Sequence, residues 1–215
     1  MDLIKKISNY FVDARYKKAL NHINGYEQID GWLTENEAFG LYHIASILAE
    51  DSFVVEIGSW KGKSTFCIAK GLNKGKIYAI DPFNAEGEEG SKEIYELTKG
   101  SEPLYDQFIS NMTSLGVINK IQPLKGYSSQ FIDTVETIDF LFIDGDHSIA
   151  GCEYDFVNFS PKVKVGGYVA LHDFDPDRLD LGPTWVVNNK ILQNNGFQFY
   201  NQFDSLWVAK KIKDN

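Results

Sequence analysis

From residue 53 onward the chain alternates short apolar runs with stretches of helical spacing, and this alternation limits the possible folds more than any other feature. Phe53-Val54-Val55-Glu56-Ile57 has the length and β-branched character of a buried strand, and residues 64–72 follow with helical spacing. Further strands are expected at 76–80, 120–124, 138–143 and 168–171, with helices at 102–116, 149–160 and 184–195 between or after them. Two closing β segments, 197–201 and 204–210, are separated by a short turn near Asp204 and read as a hairpin. Strands alternating with helices bury their apolar faces as a mostly parallel sheet covered on both sides, so the fold class is α/β. The final hairpin adds one antiparallel strand.

Upstream of this pattern, residues 1–24 carry Leu3, Ile4, Ile7, Phe11, Tyr16 and Leu20 at roughly helical spacing. Residues 1–28 are read as a helical extension, packing on the main domain or on another subunit, and 29–215 as the domain itself. Thr34-Glu35-Asn36-Glu37 has the form of a capping box, which starts a helix bearing Ala38, Leu41, Ile44, Ala45 and Leu48 on one stripe.

Composition excludes several functions. A chain of 215 residues suits one α/β domain, and 43% hydrophobic with 24% charged residues rules out a disordered tail or a fibre. The formal net charge of −9 argues against a nucleic-acid partner, which needs basic groups to displace counterions. Cys67 and Cys152 belong to no metal-binding spacing and read as reduced, buried thiols. No stretch has the ~18 consecutive apolar residues of a membrane span, and the N-terminus lacks a signal-peptide core. A cytoplasmic location and no membrane partner are expected.

In an open sheet of this kind ligands bind beyond the carboxyl ends of the strands. The first strand runs into Gly58-Ser59-Trp60-Lys61-Gly62-Lys63-Ser64-Thr65, where glycines let a ligand approach backbone beside a helix start. The loop is one residue short of a P-loop, and Trp60 stands where a dinucleotide fingerprint needs glycine. A P-loop-like nucleotide protein is therefore disfavoured. The second strand ends at Asp81, about 20 residues on, the place from which a carboxylate accepts hydrogen bonds from ribose hydroxyls. Two later strands end in Asp144-Gly145-Asp146-His147 and His172-Asp173. Carboxylates and imidazoles gathered on one sheet edge suit either a divalent cation or removal of a hydroxyl proton.

These motifs, together with Gly31-Trp32-Leu33-Thr34, Ala79-Ile80-Asp81-Pro82, Phe142-Ile143 and Gly166-Gly167-Tyr168, resemble the class I S-adenosylmethionine-dependent methyltransferases. The resemblance is nearest to the bacterial sugar and macrolide O-methyltransferases, a group related to catechol O-methyltransferase. It implies a Rossmann-like, seven-stranded sheet of order 3-2-1-4-5-7-6 with strand 7 antiparallel. It further implies that Glu56, Gly58, Ser59, Trp60, Gly62 and Ser64 form the methionine side of the cofactor site. Asp81 is then at the ribose, Ser128 and Ser129 at the adenine, and Asp144 near the methionine amino group. In metal-dependent relatives Asp144 and the pair His172-Asp173 correspond to the cation ligands. The cation is Mg²⁺ or Mn²⁺, although an imidazole in the set suits the softer ion. Asp146 or His147 corresponds to the general base. The expected reaction is methyl transfer from S-adenosylmethionine to a hydroxyl of a small-molecule acceptor, a sugar or glycoside first and a catechol-like phenol second. A catalytically silent S-adenosylmethionine-binding domain is the alternative. The acidic, Gly-rich stretch 83–100 reads as a lid or a solvated loop, and the N-terminal helix allows a homodimer.

Overall fold

The computed structural model describes residues 14–86 and 92–214. Seven strands form one sheet: β1 (Ser52–Ile57), β2 (Gly75–Asp81), β3 (Ile121–Lys125), β4 (Ile138–Ile143), β5 (Val163–Leu171), β6 (Phe197–Phe203) and β7 (Leu206–Lys211). Their order is β3-β2-β1-β4-β5-β7-β6, the order expected. Strands β1 to β5 pair in parallel, and β7 runs antiparallel to both β5 and β6.

Helices cover both faces, which explains why the central strands are mostly apolar, Glu56 in β1 and Asp139 in β4 apart. Alternate side chains of β1 and β4 divide between two cores. Val54, Phe140 and Phe142 face a core shared with α2 (Glu35–Ser46), α3 (Lys63–Gly71) and α5 (Leu104–Ser114). Val55, Leu141 and Ile143 face the other, closed by α6 (Ile149–Phe159) and α7 (Gly182–Val186). A helix α1 over 14–22 precedes these elements, with Ala19 and the following Ile23 buried. Tyr16 donates to Glu35 at 2.8 Å and packs on Phe39 with ring centroids 4.8 Å apart. Of the expected apolar stripe, Leu3, Ile4, Ile7 and Phe11 lie outside the described residues.

The capping box forms as read from the sequence. Thr34 Oγ1 accepts from the Glu37 N–H at 3.2 Å, and Glu37 Oε2 accepts from the Thr34 N–H at 2.8 Å. Glu37 does more than cap. Its Oε1 accepts from the backbone N–H and hydroxyl of Ser205, at 3.0 and 2.7 Å, tying α2 to the β6–β7 turn.

Some boundaries differ from the expectation. Strand β5 starts at Val163 rather than 168, because Gly166 and Gly167 interrupt the apolar run without ending the ladder. A Cβ at Gly167 would lie 2.8 Å from the Asp139 carbonyl, so glycine permits that approach. The expected helix 184–195 starts at Gly182, with Pro183 in its first turn, and passes into a π-helical turn over Val187–Ile191. Within the acidic stretch, Lys92–Thr98 forms helix α4, while Gly87, Glu88, Glu89 and Gly90 lie outside the described residues. Among the described residues, no helix is long and apolar enough to cross a membrane.

Candidate active site

The loop after β1 is organised around a buried carboxylate. Glu56 is wholly inaccessible and accepts hydrogen bonds from Ser59 Oγ at 3.0 Å, Ser64 Oγ at 2.6 Å and Thr65 Oγ1. Burial pushes this carboxyl up to about 7, against the opposing pull of the three hydroxyls. Gly58 adopts a φ of +90°, and a Cβ there would stand 2.0 Å from the Asp144 carbonyl oxygen. The carboxyl ends of β1 and β4 touch only because this residue has no side chain. Gly62, at φ +93°, starts α3 and packs under Met112 and Phe108, where a Cβ would approach the Met112 Cε to 2.6 Å.

Asp81, at the tip of β2, reaches back across this loop. Its Oδ2 accepts from the Trp60 N–H at 2.8 Å and its Oδ1 from the Phe83 N–H at 2.6 Å. Burial raises this carboxyl, although the backbone donors favour its charged form. Trp60 is held at φ +46°, a left-handed conformation that is unusual for a large side chain. Beside Asp81, the turn after β3 presents Ser128 and Ser129. Ser128 Oγ donates to Asp155, a buried carboxylate on α6. Burial pushes Asp155 up to about 6, Ser128 pulls it down, and the charge of Asp146 adds to the rise.

The ends of β4 and β5 bring together the acids and histidines. His147 Nε2 lies 3.0 Å from Asp173 Oδ2 and 3.6 Å from Asp144 Oδ1. Ligand atoms of Asp144, His147 and Asp173 all lie within 4.8 Å of one another. His172 stands behind them, buried, with Nδ1 3.1 Å from Asp144 Oδ1 and Nε2 3.3 Å from Glu37 Oε2. Burial opposes its charged form, but Asp144, Asp173 and Glu37 outweigh that and hold its pKa well above the ordinary histidine value. Glu37 is also buried, and its contacts with His172, Ser205 and Thr34 bring it down to about 2. Asp173 is held far below the usual carboxylate range by His147 and His172 despite its burial. Asp173 has a φ of +58°, so local strain sits at this cluster.

The cation set read from the sequence was Asp144, His172 and Asp173. The geometry keeps His172 against both acids, with Nδ1 3.1 Å from Asp144 Oδ1 and 3.5 Å from Asp173 Oδ1, and brings His147 in beside them. The groups close enough to share one ion are Asp144, His147 and Asp173, while His172 bridges Asp144 to Glu37. The two candidate bases also separate. Asp146 Oδ1 accepts from the Ser148 N–H at 2.8 Å and its carboxylate packs against Gly151, so it helps start α6. His147 faces the cluster.

A cleft of about 660 Å³ joins these parts along the carboxyl edge of the sheet. Gly58, Ser59, Trp60, Ser64, Asp81, Ser128, Ser129, Asp144, Asp146, His147, His172 and Asp173 all line it. Glu56 and Gly62 do not. The first arranges hydroxyls beneath the loop and the second packs against α5. The cleft also contains residues that the sequence reading did not single out: Asp155, Tyr127, Tyr154, Asn84 and Tyr95. Asp155 was hidden in an amphipathic helix pattern. Its one signal was a carboxylate at an inward position.

A family model described as a methyltransferase domain matches residues 55–174. An uncharacterised protein of Acanthamoeba polyphaga mimivirus is 29% identical over 148 residues, which are 64% of this chain and 60% of that protein. Another, from Sinorhizobium fredii, is 23% identical over 171 residues, 75% of this chain and 18% of its own length. The chain thus spans less than two thirds of either relative. Among solved structures, the O-methyltransferase NovP is similar with a TM-score of 0.64 and 15% identity, over 85% of this chain and 84% of NovP. The O-methyltransferase TomG from Streptomyces achromogenes, solved with S-adenosylmethionine, is similar with a TM-score of 0.61 and 16% identity, over 97% of this chain and 96% of TomG.

Proposed function

Since the chain belongs to the methyltransferase-domain family, we propose that it moves the methyl group of S-adenosylmethionine to a hydroxyl of a small molecule, a sugar or glycoside. One observation carries this reading. A single cleft is lined by the Asp81 carboxylate at the tip of β2, the glycine loop at Gly58 and the acid–imidazole cluster of Asp144, His147 and Asp173. The sugar assignment is supported by the likeness of the four sequence motifs to sugar-modifying O-methyltransferases.

Methyl transfer needs no covalent intermediate. The protein aligns acceptor oxygen, methyl carbon and sulfur and excludes water, and such alignment is worth several kcal/mol (~7–11 in well-oriented systems). In this reading Asp81 accepts from the ribose hydroxyls, Ser128 and Asp155 meet the adenine edge, and Asp144 faces the methionine amino group. His147 takes the acceptor's proton at Nε2, and Asp144 and Asp173 stabilise the resulting imidazolium. Asp146 orients the start of α6 beside it.

The donor set also fits a divalent cation, because two carboxylates and one imidazole converge within 4.8 Å. Such an ion, held by Asp144, His147 and Asp173, would supply Lewis-acid activation of the hydroxyl in place of proton transfer to His147, whose imidazole would then be a ligand, and that imidazole favours Mn²⁺ over Mg²⁺. The P-loop alternative finds no support in the loop, where the Ser64 and Thr65 hydroxyls are committed to Glu56.

Incubation with methyl-labelled S-adenosylmethionine and a panel of glycosides and phenols, with EDTA or added Mn²⁺, tests this reading. Label in an acceptor O-methyl group is the expected result. Cofactor binding without transfer to any hydroxyl in the panel would instead favour a silent cofactor-binding domain.

A further inference from the structure

A second recess, of about 420 Å³, opens beside the main cleft. The two share Trp32, Tyr95, His147 and Asp173, so a molecule seated in the recess meets the reacting end of the cleft directly. Its outer wall is apolar. Trp32 is 49% exposed, packs edge-on to Tyr95 with centroids 5.4 Å apart, and lies beside Ile94, itself 52% exposed. A ring and an isoleucine left this open at a cleft mouth form an apolar patch that a ligand can cover.

The charge of the recess is one-sided. Asp173 and Asp175 line it, and no lysine or arginine does among the described residues. Arg178, three residues beyond Asp175, is already held by Asp180 at 2.9 and 2.8 Å. With the Asp144–His147–Asp173 cluster free of metal, a phosphate entering here would face the carboxylates of Asp173 and Asp175, and like charges in a binding site strongly disfavour a partner. With an ion held there, Asp175 still opposes it. A flat carbon face would instead stack on Trp32. An amine would gain both the indole face and Asp175.

We propose that this recess is the acceptor subsite, and that it takes a neutral or amine-bearing ring hydroxyl and rejects a phosphate- or nucleotide-linked one. The proposal rests on the methyltransferase reading given above. It also places the reaction in a sequence. The step that supplies the substrate is a glycosyl transfer or a dephosphorylation, because each leaves the ring without its phosphate.

The test is saturation-transfer NMR in EDTA on the protein saturated with S-adenosylhomocysteine, with phenyl glucoside, phenyl glucosaminide and uridine diphosphate glucose as probes. The two phenyl glycosides should bind. Their affinity should fall about tenfold in Trp32→Ala, the loss of one aromatic contact and its buried area. Uridine diphosphate glucose should give no signal on the wild type and should gain one in Asp175→Lys. Equal response from all three probes, including none from any, overturns the proposal, and so does unchanged glycoside binding in Trp32→Ala. Titration of the same samples with S-adenosylhomocysteine keeps the two ideas apart. Loss of that binding in the wild type sinks the methyltransferase reading itself, whereas intact binding with indiscriminate probes sinks the acceptor assignment alone.

Discussion

Replacing Glu56 by Gln should flatten the dependence of stability on pH. The carboxyl is wholly buried and is pushed up to about 7 from an ordinary 4.5, chiefly by desolvation. Below 4.5 it is protonated in both the folded and the unfolded chain. As pH rises the unfolded chain ionises first, while the folded chain keeps its proton until about pH 7. The stability this group contributes is therefore fully present below its unfolded pKa and is lost as pH rises through its folded one. At ~1.4 kcal/mol per pKa unit, the wild type should lose about 2–3 kcal/mol more than Glu56→Gln between about pH 5 and pH 8. Glutamine keeps the shape and one carbonyl oxygen, and the hydroxyls of Ser59, Ser64 and Thr65 can turn to accept from its amide. Urea unfolding of both chains across that range measures the difference, from which the other titrating groups cancel. Parallel curves would refute the claim that Glu56 is buried at the cost of its charge.

Three further outcomes follow from the site. Gly58→Ala should destabilise the protein by about 3 kcal/mol or more, because a left-handed φ and a backbone clash with Asp144 combine, and thermal or urea unfolding reads it. His147→Ala should lower kcat by ~10²–10⁴, the range for loss of a general base, with a much smaller effect on S-adenosylhomocysteine affinity. Asp146→Asn, which keeps an oxygen for the Ser148 N–H, should cost far less, and equal losses in the two variants would contradict the assignment of His147. Asp155→Ala should weaken S-adenosylhomocysteine by about 1–3 kcal/mol, the cost of losing a buried polar partner, and calorimetric titration shows whether it does.

The sheet was legible because its strands are buried on both faces, so runs such as Phe140-Leu141-Phe142 stand out whatever their pairing. Strand order is not encoded in those runs, and it came from the likeness of the motifs. The start of β5 was missed because Lys164 and two glycines break its apolar pattern while the ladder with β4 continues. The glycine loop and Asp81 were legible as punctuation at strand ends. The acid cluster was half legible. His172 and Asp173 stay on one side of the strand end, with Nδ1 and Oδ1 3.5 Å apart, because Asp173 leaves β5 at a φ of +58°. Asp173 also meets His147, and His172 spans Asp144 and Glu37, neither of which the sequence places nearby. Glu37 itself was visible only as a capping residue, because its second role depends on Ser205 and His172, more than 130 positions away. Trp32 and Tyr95 meet for the same reason, through tertiary packing that no local pattern records.

The central claim is that this cleft binds the methyl donor through the tip of β2. Calorimetric titration of the wild type and of Asp81→Ala with S-adenosylhomocysteine tests it most directly. Binding at one site on the wild type is expected, weakened by about 1–3 kcal/mol in the variant, or roughly 5- to 150-fold. No binding to the wild type, or equal binding to both chains, would contradict it.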